Sequence, residues 1–401
     1  MKRAISSRSA SVTEKLPMRY FKPERVLIEA AAQADPFARQ ILGRIAGVPC
    51  EVIEDAEAWI RNLNGRPNAL TRGKKLLLLR RHHGRFFKPF PLIPEYLSCH
   101  FQVLHLGSGC DLDCTYCILQ AYLNNPAITV YTNFEEGLRE LDGILTEERS
   151  CFFRVTTGEL IDSLSLDHIT RWSVPLVRFF AGTANAVLEL KTKSDNIAHL
   201  KEADPRGRVI VSWSMNSEAI QRTEELKCAT LAERIEAARR VQEWGYLAGF
   251  HFDPLIVHEG WEAGYARTVA EIFASVREDR IAWISLGALR FMGELKKVAE
   301  KRFPRTPIFS GEFVRGLEGK YRYFKPIRKR LYTKMRGLIR RYSSRVPIYL
   351  CMEGPELWQS GLETPLSNSR ELGDFLDRAA GKACETSFHE HPIELPQLRH
   401  L

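Results

Sequence analysis

Three cysteines, Cys110, Cys114 and Cys117, stand in the run GSGCDLDCTYCILQ with the spacing C-x3-C-x2-C. That spacing places three thiolates on one tight loop, one fewer than a closed four-cysteine iron–sulfur cluster or structural zinc site needs. A [4Fe–4S] cube held by three cysteines keeps one iron open to a molecule that can react there. The residues alone also allow a zinc loop completed by His105, or three unrelated buried thiols. Cys50, Cys99, Cys228, Cys351 and Cys384 read as ordinary or buried thiols. The odd total of nine cysteines fits a reducing cytosol rather than a disulfide framework.

Such a loop needs a scaffold, and residues 100–291 alternate short β-rich runs with helical stretches. The strand candidates are 101–106, 152–157, 186–192, 208–214, 246–252 and 282–289. The clearest helix, TLAERIEAARRVQEW, opens with a capping box of Thr230 and Glu233 and shows one face to the core through Leu231, Ile235, Ala238 and Val241. Strand–helix repetition implies a parallel sheet with right-handed crossovers. Six such units predict an α/β fold with a partial (β/α)6 TIM-type barrel; periodicity alone leaves a doubly wound sheet open. Cys110 follows the first strand, Glu159 and Asp162 the second, and Lys193 and Ser194 the third. Ser214 and Asn216 end the fourth, and Asp253 ends the fifth. The polar groups thus gather at the C-terminal strand ends, where barrel enzymes build their sites.

The chain has 401 residues and 44% hydrophobic content, enough for two or three domains. Residues 1–17 read as a disordered tail, 18–99 as a small α/β domain, 100–300 as the barrel, and 301–401 as a basic, aromatic extension and tail. The opening MKRAISSRSASVTEK is polar, and no run reaches 18 apolar residues. The expectation is a cytoplasmic chain that neither is secreted nor meets a membrane. The tail histidines His389, His391 and His400 read as solvated.

The net charge of +9 is uneven. Residues 301–350 carry fifteen Lys or Arg against two acids, a local +13, so the remainder holds −4, the difference between +9 and +13. A second tract, 61–90, holds nine Lys or Arg and no acid. Within the C-terminal tract, Lys320, Arg322, Lys325, Arg328, Lys329 and Arg330 interleave with Tyr321, Tyr323, Phe324 and Tyr332. Cations neutralise phosphates and aromatics stack on or wedge between bases, so the pattern suggests a polyanionic partner such as nucleic acid, with a solvated helix face as the alternative. The tract RGKKLLLLRRHHGRFFK is a second candidate grip on the same polymer.

These blocks resemble the spore photoproduct lyase family, radical S-adenosylmethionine (SAM) enzymes that reverse a thymine dimer in DNA. The resemblance rests on CDLDCTYCILQ, PAITVYTNFEE, DSLSLDHIT, KTKSDNIAHL, SWSMNSE, ERIEAARRVQEWGY and PLIVHEGWEAGY, in order, across roughly residues 24–350. It implies a radical SAM partial barrel, a [4Fe–4S] cluster on Cys110, Cys114 and Cys117, SAM as cofactor, and a basic C-terminal region with a hairpin that contacts DNA. A reducing partner such as flavodoxin or ferredoxin would supply electrons. Lys193 and Ser214 match positions that contact SAM, and Gly158–Glu159 resembles the element that holds its ammonium. Asn216 and Asp253 join them as SAM-binding candidates at the same mouth. Tyr116 matches an aromatic beside SAM or its hydrogen-transfer path, so Tyr116 and Glu159 are the catalytic candidates.

Two departures touch that chemistry. The family's hydrogen-returning cysteine aligns with Glu159, whose O–H bond is too strong for hydrogen-atom donation. A second tyrosine after the last cluster cysteine is replaced by Ile118. Cys151 does not substitute: eight residues before Glu159 on one strand, it sits about 26 Å toward the opposite barrel end. Two rival readings are a radical SAM enzyme acting on a protein or small molecule, and a non-catalytic Fe–S nucleic-acid-binding module.

Overall fold

The computed structural model describes residues 20–90, 95–364 and 366–381. The expected tail 1–17 and the histidines His389, His391 and His400 lie outside the described residues. All six expected strands form, at Gln102–Leu104, Phe153–Thr156, Ala186–Thr192, Val209–Ser214, Leu247–Leu255 and Ile281–Ala288. They pair in parallel and in sequence order. Every residue of Val209–Ser214 and Ile281–Ala288 is buried, as a parallel strand covered on both faces must be. The helix Leu231–Glu243 carries the expected capping box, with Thr230 accepting from the Glu233 amide and the Glu233 carboxylate from the Thr230 amide.

The sheet is larger than expected. Ile348–Leu350 adds a seventh parallel strand beside Ile281–Ala288, and Phe87–Pro89 pairs antiparallel with Gln102–Leu104 at the other edge. No pairing joins the two edges among the described residues, so the layer is a partial barrel. The seventh strand is three residues long and lies at the end of the basic tract, too short for a period-2 signal.

A second sheet places Arg25–Glu29 between Cys50–Ile53 and Leu76–Arg80, then continues through Ile128–Tyr131 to the antiparallel Gly107–Ser108. The expected boundary at 99/100 therefore does not separate the sheets. Phe87–Pro89 crosses into the barrel sheet, while Gly107–Ser108 and Ile128–Tyr131 return to the N-terminal one. The cysteine loop spans these returning strands, so both of its ends are tied to the N-terminal sheet. Gly109, at φ 85°, takes the left-handed conformation immediately before Cys110.

The C-terminal region forms a small antiparallel sheet of Arg290–Phe291, Tyr321–Tyr323 and Phe313–Arg315, followed by the helix Lys325–Arg340. The last described helix, Ser369–Ala379, is locked to the barrel by Asp377, whose carboxylate meets the Arg154 guanidinium with both side chains buried. Arg154 also donates to Gly373 O (3.1 Å) and Cys99 O (2.6 Å). No described helix is long and apolar enough to cross a membrane. Removing one member of a buried ion pair strands the other charge at a cost of about 3–5 kcal/mol. Asp377→Ala is therefore expected to lower unfolding stability by about that amount, read as a lower denaturant midpoint at unchanged slope.

Candidate active site

The cysteine loop has almost no regular structure of its own, so other elements must hold it. Its one ladder is a two-residue bridge pairing Asp113–Cys114 with Glu225–Leu226. Beside it the Thr115 amide donates to Glu224 O (2.9 Å) and the Thr115 hydroxyl to the Glu224 carboxylate (2.5 Å). From the N-terminal sheet, the buried Lys74 ammonium donates to Cys110 O (2.9 Å) and Leu112 O and pairs with Asp113 at 3.3 Å. From the helix Gly293–Arg302, Arg302 reaches both Asp113 oxygens (2.9 and 3.2 Å) and the Gln120 amide oxygen. Gln120 in turn donates to Cys114 O (2.9 Å) and Thr115 O (3.1 Å). Three separate parts of the chain thus clamp one loop.

Behind the loop lies a fully buried charge network. Glu225 and Arg234 pair at 2.6 Å with neither side chain exposed. Tyr116 donates its hydroxyl to Glu225, and the Lys193 ammonium sits 5.7 Å from the centre of the Tyr116 ring. Burial opposes ionisation of Glu225, yet Arg234 and Lys193 outweigh it and hold the carboxyl below its usual range. Burial likewise opposes the charge on Lys193, which Glu225 and Cys114 restore. Asp162 fixes the approach of Lys193, accepting from its amide (2.9 Å) and from the Thr192 hydroxyl (2.6 Å).

The structure therefore brings Cys110, Cys114, Cys117, Tyr116 and Lys193 together. Ser214 is buried beside them, its carbonyl accepting from Arg234 at 2.8 Å. Gly158 and Glu159 follow the Phe153–Thr156 strand; the Glu159 carboxylate lies 3.7 Å from His105, and burial raises its pKa. His105 is thereby engaged with Glu159, and burial holds its imidazole down to about 4. Cys151 precedes the same strand, at the end opposite Glu159, as expected.

Two candidates take different roles. Asn216 is wholly buried, and its amide meets Pro254 O (3.1 Å), Glu225 (3.4 Å) and the Tyr265 hydroxyl (2.7 Å). It thereby touches the carboxylate that holds Tyr116. Asp253 is held by both Arg290 terminal nitrogens at 3.1 Å, which keeps its carboxyl far below its usual range against the opposing effect of burial.

The basic tracts also need correction. Arg322 and Tyr323 are only 3% and 2% exposed and belong to the fold. Arg322 pairs with Glu318 and Glu353, and Arg328 with Glu353. Lys325 pairs with Glu356, and Arg330 with Glu262 (2.6 Å), but both stay at the surface. In the N-terminal tract Lys74 holds the cysteine loop, Arg80 meets Glu57 (2.5 Å) and Arg81 meets Asp35, so these cations serve the structure.

Sequence reasoning missed the roles of Lys74, Glu225 and Arg302, and read Cys228 only as an ordinary or buried thiol. It also missed Arg234, although that residue lies on the apolar face of its helix between Leu231 and Ala238, an anomaly that pointed to a buried partner. Cys228 brings its sulfur to 3.5 Å from that of Cys114.

The donor set fits a cluster with one open iron. Cys110, Cys114 and Cys117 are close enough to interact electrostatically, with the cations Lys74 and Lys193 beside them. Those cations favour the thiolates an iron cluster requires. Burial pushes the Cys110 thiol well above its ordinary range, so metal binding must displace its proton. No three described His, Cys, Asp or Glu side chains converge tightly enough for a single metal ion; a cube takes each cysteine on a different iron. Replacing Lys74 strands two carbonyls, each costing about 1–3 kcal/mol. Lys74→Met is expected to lower iron and sulfide bound after anaerobic reconstitution at least twofold, with the far-ultraviolet circular dichroism unchanged.

The spore photoproduct lyase family matches residues 21–346. Spore photoproduct lyase of Bacillus subtilis (strain 168) is 27% identical over 317 residues, covering 76% of this chain and 91% of that protein. The enzyme of Geobacillus sp. (strain Y412MC61) is 25% identical over 337 residues, 81% of this chain and 97% of that one. The fold is shared with a solved variant of spore photoproduct lyase carrying bound AdoMet and dinucleoside spore photoproduct. That match has a TM-score of 0.72 at 24% identity and covers 82% of this chain and 98% of the other. With more than three quarters of its length matched and the three-cysteine loop at the barrel mouth, this chain belongs to the spore photoproduct lyase family.

Proposed function

We propose that the protein is a radical SAM lyase that repairs spore photoproduct in DNA. The observation that carries this reading is the family match across residues 21–346, which includes the clamped three-cysteine loop and the barrel. Cys110, Cys114 and Cys117 would hold a [4Fe–4S] cluster, and Gly158, Glu159, Lys193 and Ser214 would line the SAM site. The cluster and SAM together supply a 5′-deoxyadenosyl radical; the cofactor carries the difficult chemistry, and the protein orients it and excludes water. A flavodoxin- or ferredoxin-like carrier in a reducing cytoplasm would provide the electron.

The chain's own residues do the positioning. Lys193, fixed through its amide by Asp162, presents a buried cation beside Tyr116. Tyr116 is held by Glu225, so its ring forms a rigid wall next to the cluster loop. Glu159 contributes a carboxylate whose burial raises the value of any cation it meets.

DNA is supported by the C-terminal hairpin of Phe313–Arg315 and Tyr321–Tyr323. Leu317 at its tip is 81% exposed, and Val314, Tyr321 and Phe324 are exposed nearby beside Arg315. An apolar tip flanked by cations suits insertion between bases with phosphate contacts at its sides. Along and just past the helix Lys325–Arg340, Lys329, Arg330, Lys334 and Arg341 line a groove in which Glu262 pairs with Arg330 and Lys334 at 2.6 Å. These contacts would position the duplex without reading its sequence.

The test is to incubate anaerobically reconstituted, reduced protein with SAM and spore-photoproduct dinucleotide, following thymine products and 5′-deoxyadenosine by mass spectrometry. Restored thymidylyl-thymidine is expected. SAM cleavage without repair would mean that the radical machinery serves a different substrate.

A further inference from the structure

If the proposed reaction is right, it leaves a carbon radical on the repaired base, and that radical must gain one hydrogen atom. Among side chains the thiol S–H bond is weak enough to give a hydrogen atom to such a radical, while carboxyl and aliphatic alcohol O–H bonds are not. The described cysteines outside the cluster can therefore be sorted by place. Cys50 opens a strand of the N-terminal sheet, Cys151 precedes a barrel strand at the end away from the mouth, and Cys99 also precedes a barrel strand, although its segment meets that of Cys351 through Leu97 N and Glu353 O (3.2 Å). Cys228 lies against Cys114. Cys351 alone among them directly follows the C-terminal end of a parallel barrel strand, Ile348–Leu350, with its amide still bound to Leu286 O at 2.9 Å.

The thiol belongs to a built group of side chains. Arg290, at the end of the neighbouring strand, donates to the Cys351 sulfur at 3.3 Å while grasping Asp253 with both terminal nitrogens. Asp253 is close enough for its charge to be felt at the same thiol. Lys191 and Lys320 are close enough for their charges to be felt in this group, with Glu189 near Lys191 and Glu318 near Lys320. Cations here suit the phosphodiester of a dinucleotide. Cys351 as a residue is half-buried. Its thiol is pushed up to about 12, chiefly by burial, and so keeps the proton that accompanies hydrogen-atom transfer.

We propose that Cys351 is the hydrogen-atom donor of this enzyme, its thiol oriented toward the barrel mouth by Asp253 and Arg290. The S–H bond breaks as a C–H bond forms on the base, leaving the repaired nucleotide and a Cys351 thiyl radical. One electron from the low-potential carrier that reduces the cluster, and one proton from water, return the thiyl to thiol. The proposal rests on the lyase reading for its substrate and on the barrel geometry for its residue. The family match ends at residue 346, before Cys351, so family membership does not assign this role.

The test uses reconstituted enzyme exchanged into deuterium oxide under single-turnover conditions, with SAM and spore-photoproduct dinucleotide. Wild-type product is expected to carry one deuterium from the exchanged thiol. In Cys351→Ala, and in the near-isosteric Cys351→Ser, the ratio of restored dinucleotide to 5′-deoxyadenosine is expected to fall at least tenfold, with the deuterium lost. Wild-type deuterium content and yield in both variants would overturn the proposal. A second measurement separates it from the lyase reading: slow maleimide labelling of Cys351 in the wild-type holoenzyme, mapped by peptide mass spectrometry, with and without oligothymidylate. At least fivefold protection supports a thiol facing the nucleic acid even if spore photoproduct is not repaired. Unchanged labelling places Cys351 away from the substrate and overturns the proposal.

Discussion

A carboxylate and a guanidinium buried together, Glu225 and Arg234, govern the geometry of this protein. Neither side chain reaches solvent, and the pair lies 2.6 Å apart directly behind the cysteine loop. Taking both charges out of water is costly, and losing either partner would cost roughly 3–5 kcal/mol. The pair is nevertheless tied on every side: Glu225 accepts from Tyr116 and Asn216, and Arg234 donates to Ser214 O and Ala229 O. A loop with a single two-residue ladder thereby acquires a fixed position relative to the fourth and fifth barrel strands. Lys74 and Arg302 hold its outer side through Asp113. The N-terminal sheet, barrel and C-terminal region meet at this loop.

The direction of the parallel sheet then determines where chemistry can occur. Cys110, Glu159, Lys193, Ser214, Asp253, Arg290 and Cys351 all lie at or just beyond C-terminal strand ends, a common rim for cofactor and substrate. Cations stand on both sides of the mouth: Lys74 and Lys193 by the cysteine loop, and Arg290 beside Cys351 on the Ile281–Ala288 and Ile348–Leu350 side.

Much of this was legible in the sequence because parallel strands buried on both faces write continuous apolar runs. Ala186–Thr192 falls on its expected residues, and the capping box at Thr230 and Glu233 marked the start of its helix. The cysteine spacing located the loop. Residues whose roles come from contacts between distant segments left little trace. Lys74 stands in a tract that reads as a polyanion grip, yet its ammonium is buried against Cys110 and Leu112. Arg322 belongs to the most basic stretch, but it pairs with Glu318 across the hairpin turn and with the remote Glu353, which becomes its neighbour only through folding. The strand Ile348–Leu350 is too short to announce itself, which concealed the position of Cys351.

The most direct test of the central claim is an anomalous-scattering map at the iron edge from anaerobic crystals of reconstituted protein. The account expects four iron positions in one cube, three bound by Cys110, Cys114 and Cys117, and a fourth without a protein ligand, with the Cys228 sulfur unbound. A single metal ion, or Cys228 bound to the fourth iron, would contradict a site built to leave one iron open for SAM.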